Sequence, residues 1–293
     1  MTPHPDCFAL RPLPLGEVKK GYNPAMTNDH EALARDVLAK EDGADARTAL
    51  EPVDIGMSEA AVFRATGAGH AARYVKAAFG DAAARLRDEI ARTRWLAERG
   101  IAVPHILRVE DRGNGIAMLM AEVPGTPADL SALPAQRLVE ALAKALAALH
   151  TVPPDDCPFD ETLATRLSRA AKEVSAGEID PAEFAPRNRK VTPRDLLRRL
   201  QDAPPRDDIV VLHGDLTLGN IIIDSDGGQK TSLAFIDCGN AGRGDRYTDL
   251  ALLHADIVAH RGEAAGAAFL RLYGVHDFDT AKARYCLDLY ELF

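Results

Sequence analysis

The sequence predicts an α+β protein in two lobes, a small antiparallel-sheet N-lobe followed by a mainly helical C-lobe. Three observations predict it. Short runs rich in β-branched and aromatic residues, separated by Gly-containing turns, crowd into residues 53–120. Leu138, Leu142, Leu146 and Leu149, at spacings of four, four and three, then mark a change to helical periodicity. Finally, residues 209–237, IVVLHGDLTLGNIIIDSDGGQKTSLAFID, alternate apolar runs with polar turns and carry the densest group of chemically competent side chains.

Taken in order, residues 1–50 read as an N-terminal extension of unknown role. Leu33 and Val37, four apart, give it a short amphipathic helix over 29–40. The N-lobe is read as 51–124. Residues 53–64 and 73–79 form strands around turns, the second turn at 66–70. Lys76 lies in a strand beside Tyr74, Val75 and Phe79, where a charge must face solvent or be paired. A helix follows Gly80, with Leu86, Ile90, Trp95 and Leu96 as its apolar positions and Glu89 among them. Strands at 106–109 and 115–120 come next, and 120–125 leaves the sheet at the lobe boundary.

The C-lobe is read as 125–293. The leucine-striped helix closes at His150, read as structural, and a second helix with Leu163, Leu167 and Ala171 ends near Gly177. Residues 178–193 form a polar segment with three prolines. A buried strand at 209–212 then breaks into a turn carrying His213, Asp215 and Asn220. Residues 221–223, a reversal through 224–228 and a second apolar run ending at Asp237 read as a hairpin.

The spacing H-x-D-x-x-x-x-N followed by D-x-G, here His213, Asp215, Asn220, Asp237 and Gly239, is the catalytic-loop and metal-loop pattern of protein kinases. Phosphoryl transfer asks the protein for a carboxylate that orients the hydroxyl and for oxygen ligands that hold Mg²⁺ against the phosphates. Asp215 suits the first task, and Asn220 with Asp237 suits the second. Lys76 and Glu89 match the strand-lysine and helix-glutamate ion pair that positions α/β-phosphates.

With these residues in place, HGDLTLGNIII followed by FIDCGNAGRGDRYTDLALL resembles the aminoglycoside phosphotransferase family, whose fold is protein-kinase-like. Gly214, where protein kinases carry arginine, favours a small-molecule kinase. Within the family the chain looks most like the 3'-phosphotransferases, over residues 52–293. The resemblance implies an ATP- and Mg²⁺-dependent kinase of an aminoglycoside hydroxyl, 3'-type on the kanamycin and neomycin class, conferring resistance. Alternatives are a streptomycin 3''-phosphotransferase and a kinase of another small metabolite on the same fold. A catalytically dead binding module is disfavoured because no catalytic position is lost.

By the same resemblance, Ser58 would approach phosphate from the nucleotide-covering loop, and backbone groups of Ala121 and Val123 would meet an adenine edge. Asp249 would brace the catalytic loop. Asp180, Asp256, Glu291 and the Phe293 carboxylate would contact the drug. Two departures stand out: the substrate segment is basic at Arg187, Arg189 and Lys190 where relatives are acidic, and Tyr290 replaces a terminal aspartate.

Bulk properties narrow the classes. The 293 residues are 46% hydrophobic and 27% charged, the balance of a globular protein. No apolar run approaches the ~18 residues that span a bilayer. The start lacks the basic-then-apolar order of a secretory signal, so a cytoplasmic location is expected. A net charge of −9 argues against a nucleic-acid partner. Cys7, Cys157, Cys238 and Cys286 are scattered, which suits a reducing compartment and argues against structural zinc. The expected partners are thus the nucleotide and the aminoglycoside, bound by a monomer or weak dimer.

Overall fold

The computed structural model describes residues 24–42, 48–53, 60–67, 71–177, 179–225 and 231–293. The chain divides into two compact units. A sheet unit takes in the described residues up to Pro124 together with Ala234–Gly239, and a helical unit takes in Gly125–Leu233 and Asn240–Phe293.

In the sheet unit, helix α1 (Pro24–Asp42) precedes strands β1 (Ala49–Pro52), β2 (Ala61–Thr66) and β3 (Arg73–Phe79). Helix α2 (Gly80–Glu98) follows, then β4 (Ile106–Asp111) and β5 (Gly115–Ala121). The strands form one five-stranded sheet in the order β1-β2-β3-β5-β4, antiparallel throughout. Strand periodicity of two sorts the side chains onto its faces. Val75, Ala77, Ala117 and Leu119 pack with α1, whereas Ala78, Ile116 and Met118 pack with Leu86 and Ile90 of α2.

Helix α1, set apart in the sequence reading as an extension, is therefore one of the two covers of the sheet. Its Leu33, Val37 and Leu38 are buried, which contributes roughly 5–9 kcal/mol before ordering entropy. Rim ion pairs such as Arg108–Glu41 at 2.8 Å add little, because exposed pairs contribute about 0–1 kcal/mol.

The helical unit begins with β6 (Thr126–Pro127), α3 (Ala135–His150), β7 (Asp160–Glu161), α4 (Leu163–Ala176) and α5 (Pro193–Asp202). Strands β8 (Ile209–Leu212), β9 (Ile221–Ser225), β10 (Thr231–Phe235) and β11 (Gly242–Asp245) follow, then α6 (Tyr247–Arg261), α7 (Glu263–Tyr273) and α8 (Thr280–Tyr290). Two short sheets, β10-β9-β6 and β7-β11-β8, flank the catalytic-loop segment.

Cap chemistry sets the helix ends. Thr162 and Thr192 accept from backbone amides of the first turns of α4 and α5, Pro193 opens α5, and Gly177 closes α4 in the left-handed region. The core joins α4, α5, α6 and α8 through Leu163, Leu196, Leu252, Leu287 and Leu292, with Phe184 buried among them. The leucine stripe of α3 is buried, and α3 packs on α7. No helix among the described residues is long and apolar enough to cross a membrane.

Candidate active site

Three charged residues meet in the sheet unit. Lys76 sits in register between Val62 and Met118, on the sheet face covered by α2. Glu89 lies in the buried stripe of α2 with Leu86, Ile90 and Thr93. The helical period and the strand period thus direct both side chains to the same place, and Lys76 Nζ is 2.7 Å from Glu89 Oε2. The same ammonium is 2.9 Å from Asp237 Oδ1.

Burial works against the charge on Lys76, but the Glu89 and Asp237 carboxylates outweigh it and raise its pKa. The lysine side chain is only 9% exposed, so the ion pair is a buried one. Asp237 is held at φ +58°, the one positive-φ non-glycine among the described residues. Such a conformation costs about 1–3 kcal/mol and persists where the surroundings over-determine it. Its carboxylate is half exposed. Next in the chain, burial and the two neighbouring carboxylates raise the Cys238 thiol pKa, which keeps it a protonated packing group.

In the helical unit, β8 delivers the chain into the loop that carries Asp215. Gly214 has φ +84°, and a Cβ there would lie 2.2 Å from the Asn240 carbonyl oxygen, so only glycine fits. The fully buried Asp249 anchors the loop. Its Oδ2 accepts from the His213 amide at 2.7 Å, and its Oδ1 from the Gly214 amide at 2.8 Å. His150 Nε2 lies 3.2 Å from Oδ2, and His150 Nδ1 is 2.7 Å from the Tyr273 hydroxyl. Burial opposes ionisation of Asp249, yet His150 and the His213 side prevail and its pKa is lowered.

The Asp215 carboxylate is held from two sides. Asn220 Nδ2 donates to the Asp215 carbonyl at 2.8 Å and to Oδ2 at 3.2 Å. Tyr290 donates its hydroxyl to Oδ1 at 2.8 Å. With its nitrogen committed to Asp215, Asn220 keeps its amide oxygen as the atom able to meet a cation. Amide and carboxylate oxygens are the hard ligands Mg²⁺ takes, one or two from protein and the rest from water and phosphate. Among the described residues no cluster of three or more His, Cys, Asp or Glu suited to a metal occurs.

The sequence profile of the phosphotransferase enzyme family, APH, matches residues 49–286. The chain belongs to the aminoglycoside phosphotransferase family. It is 37% identical over 250 residues to the streptomycin 3''-kinase of Streptomyces griseus, covering 81% of this chain and 89% of the relative. It is 35% identical over 218 residues to an aminoglycoside 3'-phosphotransferase of Streptomyces fradiae, covering 71% and 80%. The solved structure of aminoglycoside phosphotransferase APH(3'')-Id from Streptomyces rimosus superimposes with a TM-score of 0.78 at 34% identity, over 91% of this chain and 98% of that one. A second structure of it, in complex with ADP and streptomycin, gives 0.74 at 34% identity, over 90% and 98%. The α+β fold expected from the sequence is the fold found.

For this phosphotransferase the remaining sequence-derived positions fare unevenly. Ser58 lies outside the described residues. The Ala121 amide donates to the His105 carbonyl at 2.9 Å, so that group is already committed. Asp180 is exposed and caps the turn at 181–183 through the Ala182 amide. Asp256 Oδ2 accepts from the Leu218 amide at 2.7 Å and pairs with His260, so it braces the turn before Asn220; burial raises its pKa.

Glu291 is nearly buried, which raises its pKa against the pull of Arg187 and Asn188. Arg187 bonds Glu291 and Asp288, each at 2.9 Å, and Asn188 bonds the same two acids at 3.1 and 2.8 Å. The basic segment thus pairs with both C-terminal acids through one cation and one amide. The Phe293 ring lies under the guanidiniums of Arg166 and Arg169 at 5.0 and 4.8 Å. Sequence reasoning missed Asp288, Arg187 and Tyr290 as parts of this arrangement. Asp288 and Glu291, three apart at the end of a helix, carried the available signal.

Proposed function

We propose that this chain transfers the γ-phosphoryl group of ATP to an aminoglycoside hydroxyl, in the cytoplasm. The observation that carries the reading is Asp215, oriented by Asn220 and Tyr290 on a loop anchored by Asp249. Asp215 would accept the hydroxyl proton as that oxygen bonds to the γ-phosphorus and the bond to the β-phosphate oxygen breaks. Lys76, paired with Glu89, would hold the α/β-phosphates. Asn220 and Asp237 would hold Mg²⁺, which supplies neutralisation of the charge on the transferring group.

The 3''-hydroxyl of a streptomycin-class drug takes precedence over the 3'-hydroxyl of the kanamycin and neomycin class, reversing the order expected from sequence. The relative named for streptomycin 3''-phosphorylation supports this, as does the similar protein solved with ADP and streptomycin. So does the pairing of Asp288 and Glu291 with Arg187 and Asn188, which occupies those acids with donors of the chain itself and leaves less of their charge for the ammonium groups of a polyamine drug. The 3'-reading retains the relative from S. fradiae.

A coupled ADP-release assay across streptomycin, kanamycin and neomycin, with the product position read by phosphorus-31 NMR, decides between them. Streptomycin turnover with modification at 3'' is expected. Asp215→Asn should lower turnover by roughly 10²-fold or more while nucleotide affinity holds. Survival of turnover in that variant would remove Asp215 from the mechanism.

A further inference from the structure

The Tyr290 contact goes beyond the motif. Tyr290 ends α8 and places its hydroxyl 2.8 Å from Asp215 Oδ1, 75 residues away in sequence. Neighbours on both sides pin it. Asp288 and Glu291 are clasped by Arg187 and Asn188, Leu289 and Leu292 are buried in the core, and Phe293 rests on Arg166 and Arg169. Burial and the Asp215 charge raise the phenol pKa well above its ordinary value, so the group stays protonated and acts as a donor.

We propose that Tyr290 is a positioning residue for phosphoryl transfer: its hydroxyl on Oδ1 and the Asn220 amide on Oδ2 lock the Asp215 carboxylate in one orientation. A carboxylate offers about four lone-pair directions, so two donors leave acceptor capacity for the drug's hydroxyl. Both donors are uncharged, so they orient the carboxylate without neutralising it as a cation would. Misplacing a reacting group by about an ångström can cost about 10²-fold in rate, and loss of one of two restraints should cost part of that.

This inference rests on the reading of Asp215 as the proton acceptor, and the test separates the two. Tyr290→Phe, Asp215→Asn and the double variant are compared in the full chain with Mg²⁺-ATP and streptomycin. Tyr290→Phe removes one oxygen and leaves Asp215 hydrogen-bonded to Asn220, so the fold should hold, with thermal midpoint and nucleotide affinity as checks. In Tyr290→Phe, kcat is expected to fall about tenfold while both KM values stay within about twofold.

The double variant should be no slower than Asp215→Asn alone, because Tyr290 acts only through Asp215. Independent, multiplying effects overturn the inference, as does wild-type kcat in Tyr290→Phe. A lowered KM for the drug in Tyr290→Phe also overturns it, since Tyr290 would then be filling the drug's place. If Asp215→Asn itself stays active, the reading of Asp215 as the proton acceptor fails first. If Asp215→Asn is inactive and Tyr290→Phe behaves as wild type, only the role of Tyr290 falls.

Discussion

The two units solve opposite problems with different partners. In the sheet unit a buried cation is held by two carboxylates, Lys76 against Glu89 and Asp237, and charge balance keeps the group ionised. In the helical unit the Asp215 carboxylate is held by a phenol and an amide, and its loop by two backbone amides on Asp249. Neutral donors fix direction and leave the charge in place. A lysine proposed to hold phosphate needs its charge, and a carboxylate proposed to accept a proton needs its aim.

The largest expected effect attacks the charge-held side. Lys76→Ala leaves the Glu89 carboxylate buried without its cation and should destabilise the protein by about 3–5 kcal/mol, read by urea unfolding. A loss below about 1 kcal/mol would mean that charge balance does not hold this group, and the contrast would break. Next, acid should weaken the helical unit through His254, whose burial lowers its pKa from 6.5 to about 4. Because the folded value lies below the unfolded one, its contribution is full above about pH 6.5 and is lost as pH falls toward 4, a change of about 3 kcal/mol. His254→Gln should flatten that part of the stability–pH curve.

A smaller effect sharpens the orientation-held side. Asp249→Asn turns an NH₂ group toward one of the two backbone amides, and an unsatisfied buried donor costs about 1–3 kcal/mol. Turnover should fall with nucleotide affinity kept, because the damage is confined to the loop that aims Asp215. Equal loss of both would show that the two units are not separable in this way. The smallest effect serves as a control. Thr192→Ala removes the cap of α5 and should cost about 1 kcal/mol of stability, with kcat unchanged.

Much of the arrangement was legible because it is periodic or local. The run at 209–212 is β8 as read, and the hairpin read over 221–237 holds β9 and β10. The approach of Lys76 to Glu89 followed from a strand period of two meeting a helical stripe. Asp215 and Asn220 are five residues apart in one turn, so their contact is nearly a property of the loop. Other pairings left no such trace. Asp237 reaches Lys76 across 161 residues, and Arg187 reaches Asp288 across 101. The basic segment could be flagged from its composition, but its partners could not be named.

By itself, then, the sequence determined the element types, the faces they bury and the family's motif, since these depend on spacing within a few residues. Only the tertiary structure decided that α1 covers the sheet, that the C-terminal acids pair with Arg187, and that Tyr290 rests on Asp215. Those choices depend on which distant surfaces meet, and local periodicity carries no term for that. Each such meeting is selected by burial and hydrogen-bond satisfaction summed over a whole unit.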